Sequence, residues 1–109
     1  MVFDIVEKTG MPKKKSYTEK EVEKNMKALS GWRSNPKSTV LTKDFDFPNF
    51  ISALAYVAKI AVHAEVIEHH PDLELSYGKV KVKLTTHDAK GLTAKDFDLA
   101  RRIDALRVT

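Results

Sequence analysis

The chain has 109 residues, carries a formal net charge of +4, is 42% hydrophobic and 31% charged, and contains no cysteine. That length fits one domain with one core, since domains commonly run to about 100–150 residues. The lack of cysteine excludes disulfides and thiolate metal sites, and no apolar run is expected to approach the roughly 20 residues of a membrane span.

The positive excess has two sources: Lys13-Lys14-Lys15 near the start, and Lys79, Lys81 and Lys83, which alternate along one segment. A lysine triplet in a terminal tail reads first as a solvated tail. Lysines at every second position mark the wet face of a half-buried strand, so Val80, Val82 and Leu84 form its buried row. No zinc-finger spacing, glycine-rich phosphate loop or aromatic RNA-binding signature accompanies the charge, and no direct nucleic-acid or membrane partner is expected.

Residues 1–15 show no periodicity and lack the charged-then-apolar order of a secretory signal. They read as a flexible arm before a single domain over 16–109, with the cytoplasm as the default location and a nuclear one left open. Thr18 and Glu21 form a capping box, and Val22, Met26 and Leu29 follow on one helical stripe that ends at Ser30-Gly31. Trp32–Ser34 and Thr39–Phe45 read as two strands around an Asn35-Pro36 turn, with Phe45 and Phe47 on one side.

Pro48 suits the first turn of a second helix. Its predicted stripe is Phe50, Leu54, Val57, Ala61 and Ala64, widened by Ile51, Ala55, Ala58 and Val62. So broad an apolar surface implies contact on more than one side, by the sheet and by another subunit. Pro71 requires this helix to end near Glu68. Asp72 to Thr86 reads as a hairpin closed at Gly78-Lys79. Gly91-Leu92-Thr93 then opens a last helix that buries Phe97, Ala100, Ile103 and Leu106. The order α-β-β-α-β-β-α predicts an α+β fold, a four-stranded antiparallel sheet with three helices on one face.

The chemistry centres on histidine. Closing the hairpin at Gly78-Lys79 sets Tyr77 opposite Val80 and Leu75 opposite Val82. The same register puts His70 opposite His87, where facing Cβ atoms are about 5 Å apart. His69-His70-Pro71 and His87 would then share one rim. His63, within the long helix, has no evident partner. Glu65 lies one helical turn before His69 and could share its face. Asp96, in the first turn of the last helix, either caps that helix with Thr93 or serves a histidine. Three histidines could hold zinc, but adjacent histidines point apart and no helical pair supplies two ligands from one face. No nucleophile-elbow glycines are present. Metal-free acid–base catalysis suits imidazole, whose ordinary pKa lies near 6.5.

Glu65, His69-His70-Pro71, Tyr77, His87 and Asp96, at these spacings, resemble the signature of pterin-4a-carbinolamine dehydratases. Softer similarity runs from Trp32 through Phe45-Asp46-Phe47 to the last helix and leaves out the arm. The resemblance implies dehydration of 4a-hydroxytetrahydrobiopterin to quinonoid dihydrobiopterin and water. That reaction recycles the tetrahydrobiopterin used by aromatic amino acid hydroxylases, and it needs no metal or redox cofactor. It also implies His69, His70 and His87 as acid–base residues. Glu65 and Asp96 would orient histidines or bind the pterin's polar edge, while Glu68, Pro71, Thr85, Thr86 and Asp88 would flank the substrate. Family members usually carry aspartate and glutamate at the positions of Glu68 and Asp88, so charge is kept while side-chain length changes.

Family members assemble as dimers and tetramers, so a homodimer or homotetramer is expected. Some relatives also serve as dimerisation cofactors for homeodomain transcription factors. A non-enzymatic coactivator that binds a partner protein is therefore the alternative, and it would rest on a helix surface instead of the histidines.

Overall fold

Each helix of the computed structural model, which describes residues 15–106, starts at a side chain that satisfies its free N–H groups. For α1, Glu19–Met26, the Thr18 hydroxyl accepts from the Glu21 N–H and the Glu21 carboxylate accepts from the Thr18 N–H at 2.8 Å, completing the expected capping box. Asn49 caps α2, Phe50–Ile67, by accepting from the Ser52 N–H. Thr93 and Asp96 cap α3, Ala94–Leu106. Such a cap is worth about 1 kcal/mol. Pro48 therefore precedes α2 instead of opening it. Helix α1 ends four residues before Ser30, in a tightened turn through Leu29, and Gly31 takes the left-handed conformation with a φ of 83°.

Four strands, β1 (Arg33–Ser34), β2 (Leu41–Asp46), β3 (Asp72–Ser76) and β4 (Lys79–Leu84), form one antiparallel sheet in the order β1-β2-β4-β3. The period of two sorts its faces. Leu41 and Phe45, Val80, Val82 and Leu84 are buried on the inner face, with Leu73 and Leu75 packed beside them. All three helices cover that face, the α+β arrangement expected from the order of elements.

On the outer face the alternating lysines are flanked by acids. Lys81 lies between Asp44 and Glu74, Lys83 pairs with Asp72, and Lys79 pairs with Asp46. The lysine row thus alternates with acids at facing register positions, in keeping with its reading as a wet face. The first fourteen residues, including most of the expected arm, lie outside the described residues.

The hairpin differs from expectation. Ser76 pairs with Lys79, so the loop is Tyr77-Gly78, and Leu75 faces Val80 while Leu73 faces Val82. The register is shifted by two residues, which keeps every side chain on its face but removes the opposition of His70 and His87. Gly78 explains the shift. Its carbonyl accepts from the Phe47 N–H at 2.8 Å, and a Cβ on it would lie 2.8 Å from the Phe47 carbonyl oxygen. Glycine serves close approach here and not handedness, since neither loop residue has positive φ.

Helix α2 is also rotated relative to the predicted stripe. It buries Ala53, Tyr56, Ile60 and Ala64, leaving Phe50, Ile51, Leu54, Val62 and Val66 exposed. An almost wholly apolar helix has no polar face to mark its orientation. The anchor is Tyr56, packed between Phe45 and Phe47 at ring distances of 5.1 and 5.0 Å, with its hydroxyl donating to the Ile103 carbonyl at 2.6 Å. The expectation about apolar runs needs correction too. Over 18 residues α2 has a mean hydropathy of 1.6, long and apolar enough by composition to cross a membrane. Lys59, His63 and Glu65 interrupt the run without outweighing its isoleucines, valines and alanines. In the structure its inner side packs on the sheet and α3.

One inner-face position is charged. Lys43, opposite Val82, runs its stem along the core, with Nζ 4.8 Å from the Phe45 ring centroid. The ammonium donates to the Ser30 carbonyl and to Asp104 Oδ1, both at 2.8 Å, and Trp32 Nε1 donates to Asp104 Oδ2 at 3.0 Å. This cluster ties β2 to the last turns of α3.

Candidate functional site

The site grows from the way α2 stops. Glu68 takes a left-handed φ of 54°, and the His69 N–H reaches back to the Ala64 carbonyl at 3.0 Å. That turn, fixed by Pro71 just beyond, throws His69 and His70 to different sides. His69 is buried at 9% exposure, and its Nε2 lies 2.6 Å from Asp96 Oδ1. His70 is exposed, and its Nε2 lies 2.5 Å from Glu65 Oε2. Glu65 was expected to share a face with His69, but its partner is His70. The αL turn at Glu68 rotates His69 off the face that Glu65 occupies.

Asp96 is the hub. It is fully buried in the first turn of α3. While Oδ1 meets His69, Oδ2 accepts from the Thr93 N–H at 2.9 Å and from the Thr86 hydroxyl at 2.7 Å. The hydroxyls of Thr86 and Thr93 are themselves 2.9 Å apart. The two readings of Asp96, helix cap and histidine partner, are therefore both realised.

Thr86 opens a short loop whose two ends pair, with Thr86 N–H donating to the Gly91 carbonyl at 2.9 Å. Within it, His87–Ala89 form a single 3-10 turn, leaving His87 and Asp88 exposed. Ser16 and Tyr17 hold the far end of this loop. Tyr17 N–H donates to the Leu92 carbonyl at 2.7 Å, and a Cβ on Gly91 would meet Ser16 Cβ at 2.7 Å.

His69, His70, Pro71, Thr85, Thr86, His87 and Asp96 thus gather at one end of the sheet, where β3 begins and β4 ends. His87 enters this group through its neighbour Thr86, which shares Asp96 with His69, and not across the hairpin. The Thr85 hydroxyl is committed to the Thr39 carbonyl at 2.7 Å. Glu68 is exposed beside His69, and Pro71 is half-buried. Tyr77 stands apart, 70% exposed at the opposite end of the hairpin, about 17 Å away by strand rise. His63 is half-buried with Nδ1 3.5 Å from Arg102 Nη1. Thr93 was read only as a capping partner; its spacing to Asp96 was the available sign of its place in the network.

A buried carboxylate against one imidazole nitrogen orients the ring and fixes which nitrogen carries the proton. The fold and these pairs define a class: a small α+β protein with histidine–carboxylate pairs at one sheet end, equipped for proton transfer. The sequence model of the family described as pterin 4 alpha carbinolamine dehydratase matches residues 15–106. The chain belongs to this family, whose activity is that of a hydro-lyase.

Relatives bearing the dehydratase name include a Roseiflexus sp. (strain RS-1) protein, 45% identical over 79% of this chain and 90% of its own. One from Trichormus variabilis is 48% identical over the same shares, 79% and 90%. One from Sulfurisphaera tokodaii is 41% identical over 84% and 97%. The crystal structure of a transcriptional coactivator/pterin dehydratase from Brucella melitensis superposes with a TM-score of 0.81 at 33% identity, covering 85% of this chain and 99% of that one. A pterin dehydratase-like protein described as a RuBisCO assembly factor in the alpha-carboxysome shares the fold, with a TM-score of 0.61 at 24% identity over 72% and 90%.

Proposed function

We propose that the chain dehydrates 4a-hydroxytetrahydrobiopterin to quinonoid dihydrobiopterin, recycling tetrahydrobiopterin, with His69, His70 and His87 as the acid–base groups. One imidazole takes the proton from the ring nitrogen beside C4a, and a second protonates the 4a-hydroxyl. The C4a–O bond breaks, water leaves, and the electrons released from the N–H form the new C=N bond. Two proton transfers and a leaving water complete the balance, and imidazoles are suited to both transfers. Glu65 orients His70 and Asp96 orients His69. Glu68, Pro71, Thr85, Thr86 and Asp88 border the substrate, with Thr85 contributing through its backbone because its hydroxyl is engaged elsewhere.

The observation that carries this reading is the buried His69–Asp96 pair at 2.6 Å. An exposed histidine can be incidental; one seated on a fully buried carboxylate is built for a purpose or for the core, and kinetics separate the two. Stopped-flow measurement of 4a-hydroxytetrahydropterin breakdown should show acceleration over the spontaneous rate. His69→Ala and His87→Ala should each lose about 10²–10⁴-fold of it, the usual share of general acid–base catalysis. A folded His69→Ala protein that dehydrates at the wild-type rate would overturn the assignment. We further infer that the working form is a homodimer or homotetramer, supported by the bare apolar side of α2.

A further inference from the structure

We propose that Thr86 and Thr93 are positioning residues. Their hydroxyls form a chain with a single direction that holds Asp96 as an acceptor and locks His69 with its proton on Nε2, leaving Nδ1 to take the substrate's proton. The last step rests on the reading of His69 as a catalytic histidine; the chain and the tautomer do not.

The direction follows from counting protons. The Lys95 backbone N–H can only donate, and it points at Thr93 Oγ1 at 3.3 Å. The Thr93 N–H can only donate as well, and it occupies Asp96 Oδ2 at 2.9 Å. Thr86 has one hydroxyl proton, which goes to the same oxygen at 2.7 Å. Thr86 Oγ1 must then accept across its 2.9 Å contact with Thr93, whose proton is free to be given. The run is Lys95 N–H to Thr93, Thr93 to Thr86, and Thr86 to Asp96. Every proton has one place, and Oδ2 receives two donors.

Two donors on Oδ2 leave no place for a proton there, and as a carboxylate Asp96 can only accept, so Oδ1 accepts from His69 and the imidazole proton sits on Nε2. In the neutral ring Nδ1 then carries the lone pair. Among the described residues Nδ1 has no hydrogen-bond partner, yet it is not sealed from solvent, since the one buried side-chain atom left unpaired there is Asp44 Oδ1. Nδ1 thus keeps some contact with solvent and is the ring nitrogen able to accept a proton. The Thr86 hydroxyl bonds no backbone group of α3, so capping does not account for it and it acts on proton placement; the Thr93 hydroxyl does both, since it also accepts from the Lys95 N–H.

The test is Thr86→Val, with Thr86→Ser and Thr93→Val beside it. Valine keeps the branched shape; at 86 it leaves every backbone hydrogen bond in place, and at 93 it keeps the N–H bond to Asp96 while removing the acceptor of the Lys95 N–H. The readouts are long-range 1H–15N spectra of the histidine rings and the kinetics of 4a-hydroxytetrahydropterin breakdown. Wild type should show neutral His69 only as the Nε2–H tautomer. Thr86→Val should show both tautomers and a kcat lower by about tenfold, the scale of one lost hydrogen bond to a charged group, with KM little changed. Thr93→Val should move both readouts the same way by a smaller factor, and Thr86→Ser should restore them. An unchanged Nε2–H tautomer and kcat in Thr86→Val, or a wild-type His69 protonated on Nδ1, would overturn the proposal. Failure of the catalytic reading looks different: His69→Ala would keep full activity while the tautomer still answered to Thr86.

Discussion

Glu68 holds a φ of 54° at the end of α2, where glycine is the usual occupant. A side chain there costs about 1 kcal/mol, and such cost is tolerated most often where the side chain has work to do. Glu68→Gly should therefore raise the thermal midpoint while lowering dehydration roughly tenfold, the scale of one charged hydrogen bond to substrate. Glu68→Asn, which also accepts this conformation, should lose activity similarly. A Glu68→Gly enzyme both more stable and fully active would show that the strain serves no contact with substrate. At Lys43 the relation runs from charge to packing. Asp104→Ala would leave the ammonium and the Trp32 N–H without their shared acceptor, so a loss of about 2 kcal/mol is expected. Thermal denaturation should register this as a fall of roughly 10 °C; a shift within experimental error would mean that solvent replaces Asp104 fully. This cluster was not legible in the sequence. A lysine among Thr42, Asp44 and Asp46 reads as one more polar residue diluting a strand, and its inner-face position emerges only from the register with Val82.

Elements show why some of the fold could be read and some could not. The alternation Lys79-Val80-Lys81-Val82-Lys83-Leu84 states which side of β4 is buried, and Thr18 with Glu21 states where α1 starts. Local chemistry suffices for both. Register does not follow from alternation, because a slip of two residues leaves every face unchanged; it was decided by the contact of Gly78 with Phe47, thirty-one positions apart in the chain. The candidate site was legible to the same extent. The hairpin reading brought His69, His70 and His87 to one end, though by a register the structure does not have. Asp96 was offered as a histidine's partner, and Thr86 came only through the family resemblance. Glu65 was set beside His69, whereas a single αL residue swings it to His70. The hairpin supplies a prediction that the sequence alone would reverse. Replacing an unstrained loop glycine by alanine ordinarily stabilises by about 0.4–1 kcal/mol. At Gly78 the new methyl meets backbone that cannot yield, so Gly78→Ala should destabilise by about 1–3 kcal/mol, the cost of overpacking. Urea denaturation decides it, and a stabilised variant would mean that the hairpin and the β2–α2 connection move apart freely.

At the scale of the molecule, the unusual surface is the outer side of α2. Ile51 is 71% exposed, Val62 62% and Val66 69%, with Leu54 at 44% and Phe50 at 43%. They run the length of an 18-residue helix, about 27 Å at 1.5 Å per residue. Scattered apolar residues on a surface are ordinary, but a continuous apolar strip marks an interface. The inner side of the same helix is already spent on the sheet and on the Tyr56 bond to Ile103, so the strip has no partner within the described residues. A second copy presenting the same strip would cover it, since one apolar helix laid along another buries both at once. Light scattering at micromolar concentration should report a dimer or a tetramer. Leu54→Glu combined with Val62→Glu sets charges in the middle of the strip without touching a core residue. That variant should run as a smaller species with an unchanged far-ultraviolet spectrum. A wild-type protein that scatters as a monomer would overturn the self-association reading, and the exposed strip would then need a different partner of equal apolarity.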